Sequence, residues 1–121
     1  MHTFRKAAAL AAVALGSLVV AVAAFGSSSK TAVTVTAGKP SELKFTLSKK
    51  SAPKGAISFA VTNKGKLAHD FKIAGKKTKL LKAGTKATLT VTIAKPGKYQ
   101  FLCTVEGHAA GGMKGTFTVT K

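Results

Sequence analysis

Residues 98–120 read KYQFLCTVEGHAAGGMKGTFTVT and carry more architectural information than any other part of the chain. At both ends apolar and polar residues alternate with period two, as half-buried β-strands require. Strand side chains point alternately to opposite faces, so Tyr99, Phe101 and Cys103 share one face. Phe101 is a core residue by type, which turns Cys103 inward at the end of its strand. Between the two strands lies a loop holding the chain's only cysteine, a histidine five residues later and a methionine five residues after that. Gly107, Gly111, Gly112 and Gly115 permit backbone angles there that other residues resist.

The same alternation recurs outward from this stretch. It is visible in KTAVTVTA (30–37), LKFTLS (43–48), AISFAVTN (56–63), DFKIA (70–74) and KATLTVTI (86–93). Threonine, valine and phenylalanine fill these segments, as a pleated, half-buried surface favours. Turn formers separate them: GKP, PKG, NKGK, AGKK, KAGT and AKPGK. No segment after the N-terminal leader has a helical period. Seven or eight short strands in about 95 residues predict an all-β fold, an antiparallel two-sheet β-sandwich.

The first 26 residues have a different character. Arg5 and Lys6 precede an apolar run from Ala7 to Phe25, and small residues follow. That order predicts a secretory signal, cut after Ala23, Ala24 or Gly26, with an uncleaved membrane anchor as the alternative. The domain division is therefore a leader over 1–26 and a folded domain over 27–121, exported to the periplasm or the outer face of the cell envelope. Contact with a membrane is expected only through an uncut leader.

Charge narrows the partners. Without Arg5 and Lys6, 18 lysines face Glu42, Asp70 and Glu106, a balance of about +15. Such a surface attracts anionic partners and repels copies of itself, so a monomer is expected. Nucleic acid is disfavoured, because the domain has no arginine, whose planar fork suits phosphate and base recognition. The lysines are spread over every turn rather than clustered.

The scarce donors then fall together. With Met1 and His2 in the leader, the domain contains His69, Cys103, His108 and Met113 as its only histidines, cysteine and methionine. His69 shares the inward face of its segment with Phe71 and Ile73. Two imidazoles, one thiolate and one weak thioether make up the ligand set of a blue-copper electron-transfer site. Structural zinc more often takes additional thiolates or histidines and has no need of Met113. A lone thiol in an exported protein is otherwise a liability.

YQFLCTVEGHAAGGMKGTFTV resembles the C-terminal copper loop of the cupredoxins, the plastocyanin and azurin type of small blue-copper protein, and NKGKLAHDFKI resembles the segment supplying their first histidine. The likeness runs over residues 30–121. It implies a Greek-key β-sandwich and a single type 1 copper. His69 and His108 would be the imidazole ligands, Cys103 the thiolate and Met113 the long axial ligand. One departure is Asp70, where the family often has asparagine; its side chain is predicted to accept a hydrogen bond from Thr104. Glu106 places an acid beside the site.

A metal with all its positions filled offers no place for a substrate, so a carrier is expected rather than an enzyme, and no catalytic residue is nominated. The expected role is one-electron transfer between redox proteins. By resemblance the electron port is the outer edge of His108, ringed by Leu67, Ala68, Ala109, Ala110 and Met113. Lys64, Lys66 and Lys114 would steer an acidic partner such as a cytochrome or oxidase. Two alternatives are copper storage or delivery in the cell envelope, and a metal-free secreted β-domain that binds an anionic surface.

Overall fold

A computed structural model of the chain describes residues 30–121; the expected leader lies outside the described residues. Nine strands follow in order: β1 (Thr31–Ala37), β2 (Phe45–Leu47), β3 (Ser51–Pro53), β4 (Gly55–Asn63), β5 (Lys72–Ile73), β6 (Lys76–Lys77), β7 (Lys86–Ile93), β8 (Gly97–Leu102) and β9 (Lys114–Thr120). They form two sheets, ordered β2-β1-β4-β7 and β3-β9-β8-β5-β6. The all-β sandwich expected from the alternation is present. No helix of the described residues is long and apolar enough to cross a membrane.

Two details differ from the expectation. β1 lies parallel to β4, from Thr31↔Ile57 to Ala37↔Asn63, and β3 lies parallel to β9. Parallel neighbours need a long crossover, and residues 38–54 provide it, placing β2 on the outer edge and β3 in the opposite sheet. The other difference is the strand count, since β3 and β6 are short pieces beside or within segments that read as turns. β6 pairs with β5 because Ala74 and Gly75, with φ of 50° and 79°, form a two-residue turn of the kind that matches strand twist.

The core lies between the sheets. Val33 and Val35 of β1, Ile57, Phe59 and Val61 of β4, and Phe117 and Val119 of β9 are all buried, while the intervening Thr34, Ser58, Ala60 and Thr118 are half-buried or exposed. Phenylalanines tie the layers together. Phe59 meets Phe71 at 5.2 Å and Phe117 edge-on at 5.4 Å, and Phe71 stacks on Phe101 at 5.6 Å. Such pairs add about 0.5–1.5 kcal/mol each beyond their buried area.

This packing positions the site. β1 and β4 end together at Ala37 and Asn63, and the other sheet ends with β8 leaving and β9 entering. Ala37, Cys103 and Met113 form a small buried cluster at that end, flanked by Leu43, Phe45 and Val105. Phe59→Ala is expected to cost about 3–5 kcal/mol in urea unfolding, whereas Thr90→Ala on the exposed outer face should stay within about 0.5 kcal/mol. Equal losses for the two would refute the central place given to Phe59.

Candidate metal centre

Cys103 directly follows β8 and is 1% exposed, on the same face as Phe101. Its N–H donates to the Met113 carbonyl at 3.1 Å, so the loop between β8 and β9 closes on itself. Inside the loop His108 N–H donates to Val105 O and Met113 N–H to His108 O, both at 3.0 Å. The glycines serve two different purposes. Gly107 and Gly112 take positive φ, 84° and 115°. Gly111 and Gly115 instead leave room: a Cβ at 111 would lie 2.6 Å from Leu43, and one at 115 would collide with the Phe101 ring.

His69 comes from the segment between β4 and β5. It exchanges backbone hydrogen bonds with Leu81 at 3.0 and 2.8 Å and is fully buried. Asn63 anchors the approach to it. Its amide donates to the carbonyls of Leu67 and Leu81 at 2.8 and 2.9 Å, and its oxygen accepts the Gly65 N–H at 2.8 Å. A buried amide with these partners holds the turn without leaving a polar atom stranded.

The three strong donors converge. His69 Nδ1 and His108 Nδ1 are 3.2 Å apart, and Cys103 Sγ is 3.6 Å from His108 Nδ1 and 4.0 Å from His69 Nδ1. A first-row ion bound in their plane, with bonds of about 2.0–2.3 Å, needs edges of about 3.5–3.8 Å, so the observed triangle fits one ion. Among the described residues this trio is the one cluster of its kind. Met113 is fully buried in the same cluster as Cys103. His69, Cys103, His108 and Met113, singled out from the sequence, are thus arranged as a type 1 copper site.

Further groups support the donors. The Asp70 N–H points at Cys103 Sγ from 3.5 Å. The Asp70 carboxylate accepts the Thr104 N–H at 2.6 Å and the Thr104 hydroxyl as well, joining the two ligand segments as the sequence suggested. Burial pushes the Cys103 thiol above its ordinary pKa, against the pull of the Asp70 and Val105 N–H groups. A cation is what makes a buried thiolate favourable.

Glu42 was not singled out in the sequence. Its carboxylate takes the Lys66 N–H at 2.9 and 3.1 Å, the Leu67 N–H at 3.1 Å and His69 Nε2 at 2.6 Å. These bonds, the Lys66 N–H first, lower its pKa to about 2. The available signal was its rarity, as one of three acids beside 18 lysines in residues 27–121.

Asp70→Ala strips Thr104 of its acceptor and is expected to cost about 1–2 kcal/mol in unfolding of the metal-free protein. Asp70→Asn keeps an acceptor and should retain most of that stability. Three proteins of equal stability and equal copper retention would show that the Asp70–Thr104 contact holds nothing in place.

The chain is similar in sequence and fold to known proteins. The cupredoxin-like domain family matches residues 7–119. Auracyanin-B of Chloroflexus aurantiacus is 46% identical over 43 residues, a stretch covering 36% of this chain and only 18% of that relative. Reduced auracyanin from Roseiflexus castenholzii superposes with a TM-score of 0.60 at 27% identity, over 79% of this chain and 100% of that one. Auracyanin A, a "blue" copper protein of Chloroflexus aurantiacus, superposes with a TM-score of 0.65 at 17% identity over 76% and 100%, a likeness of fold. Since the family match takes in both sheets and the entire loop from Cys103 to Met113, the chain belongs to the cupredoxin-like family.

Proposed function

We propose that the chain is an exported electron carrier whose single copper is held by His69 Nδ1, Cys103 Sγ, His108 Nδ1 and the Met113 thioether. The observation that carries this reading is the triangle of two imidazoles and a thiol with edges of 3.2–4.0 Å beside a buried methionine. Bound copper supplies the one-electron Cu(II)/Cu(I) couple. The chain's part is to keep the donors still: Cys103 through the Met113 carbonyl, His69 through Leu81, His108 through Val105. Donors fixed by backbone bonds move little when the charge on the metal changes. With four donors filled, no position is left for a substrate, which supports a carrier rather than an enzyme.

His108 is the half-buried member of the set, and its outer edge is the proposed port. Of the residues expected to ring it, Leu67 is 50% exposed, Ala110 is exposed, and Ala68 and Ala109 are half-buried. Met113, expected to share this ring, is instead fully buried; its surface role is corrected. Lys64, Lys66 and Lys114 are exposed at this end. Among the described residues no lysine lies within 4.0 Å of a carboxylate oxygen, so these charges stand unneutralised. An acidic redox protein, such as a cytochrome or oxidase, fits that surface. Export in a monomeric form, with a leader over residues 1–26 and the copper domain over 27–121, completes the proposal; its support is the sequence pattern.

Adding Cu(II) to the domain should produce an intense thiolate-to-copper band and a matching EPR signal, both lost in Cys103→Ser. A colourless wild type would sink the reading. Rapid passage of Cu(I) to a chelator without electron exchange would replace it with copper delivery. For docking, the on-rate with an acidic redox partner should fall steeply between about 10 mM and 0.15 M salt, as the screening length drops from about 30 to about 8 Å. A flat dependence would show that the lysines play no part in encounter.

A further inference from the structure

Glu42 lies in the 38–44 turn, 27 residues before His69, and touches the side of that histidine turned away from Cys103 and His108. A neutral imidazole has one N–H and one lone pair. A carboxylate only accepts, so the 2.6 Å contact requires the proton on Nε2 and leaves the Nδ1 lone pair facing the donor triangle. The His108 Nδ1 lies 3.2 Å away across that triangle.

The surroundings are shaped around this contact. A Cβ at Gly65 would collide with Glu42 Oε2 and lie 3.0 Å from His69 Nε2. A Cβ at Gly38 would lie 2.5 Å from the Gly65 Cα, so the two turns approach each other closely. Lys66 and Leu67 aim consecutive N–H groups at the carboxylate, whose Oε2 accepts from both as well as meeting the imidazole. The Lys64 N–H to Ala37 carbonyl bond, 2.9 Å, already ties the turn to β1. Glu42 is therefore not needed merely to close the turn.

We propose that Glu42 is a positioning residue for the copper site: it fixes the His69 tautomer so that Nδ1 is the ligand atom, and it sets a negative charge behind that ligand. The assignment rests on the copper reading above. A carboxylate behind a ligand imidazole raises its basicity, and losing such a partner typically costs about 10–100-fold in metal affinity. The charge favours the more positive oxidation state, so Glu42 selectively stabilises Cu(II).

The test compares Glu42→Gln and Glu42→Ala with wild type. Glu42→Gln keeps the size and an acceptor but removes the charge. It should retain the thiolate-to-copper band, lose about 10–100-fold in Cu(II) affinity, lose less in Cu(I) affinity, and so shift to a higher reduction potential. Glu42→Ala should shift further. In the metal-free protein, nitrogen NMR should find His69 as the Nε2–H tautomer in wild type and a tautomer mixture in Glu42→Ala. A purely structural tie would lower the melting temperature while leaving potential and tautomer unchanged, and that result overturns the assignment. A wild type lacking the band overturns the copper reading and this assignment together; a normal wild-type band with variants of unchanged affinity and potential overturns this assignment alone.

Discussion

Burying polar metal donors at the end of an apolar core is the constraint that governs the rest of this structure. His69, Cys103 and Met113 lie among residues with almost no contact with water. A buried polar group without a partner costs about 1–3 kcal/mol, so each donor must be answered from its own surroundings. Cys103 is answered by the Asp70 N–H, His69 by Glu42, and Asp70 in turn by Thr104. Among the described residues no buried side-chain nitrogen or oxygen lacks a partner. The loops therefore come as a set: changing one donor's support disturbs a neighbour that belongs to another segment.

The charge distribution follows the same logic. The three acids of residues 27–121 are not scattered through the lysine-rich surface. Glu42 and Asp70 face the ligand segments, and Glu106 lies within the loop from Cys103 to Met113. Glu42 and Asp70 accept N–H groups beside the metal ligands, Glu106 is exposed on the ligand loop, and lysines occupy the solvated remainder. The surplus of positive charge is thus a property of the surface, while the site itself is locally acidic. Under the proposed docking, that separation is what lets one small domain present a cationic face to an acidic partner and still hold a metal cation.

What could be read from sequence was what is local. Alternation over 86–93 matched β7 to the residue, and the side-chain period placed Cys103 and His69 inward, as found. The Asp70–Thr104 contact was also legible, because each residue adjoins a ligand in a recognisable segment. The parallel pairing of β1 with β4 was not, since it depends on where the 38–54 crossover lays the chain. β6 was hidden because two lysines after Ala-Gly carry no apolar signal; their pairing comes from the turn. Met113 was placed on the rim of the port by family resemblance, yet the loop folds it against Leu43 and Val105 into the buried cluster. Glu42 escaped notice because no local pattern links a turn residue to a histidine 27 positions later.

These contacts also explain the asymmetry between the two histidines. His69 is sealed from behind by Glu42 and Gly65, and its backbone is locked to Leu81. Among the described residues no carboxylate bonds to the His108 ring, which stands half-buried on a loop that is tied internally. Under the copper reading, the two imidazoles divide the work. One is charge-tuned, dry and fixed, so it shapes the preference for oxidation state. The other reaches the surface amid small apolar residues, where a partner can approach without displacing any bond that holds the site. A rigid interior and an open edge are compatible because the chain assigns them to ligands from different loops.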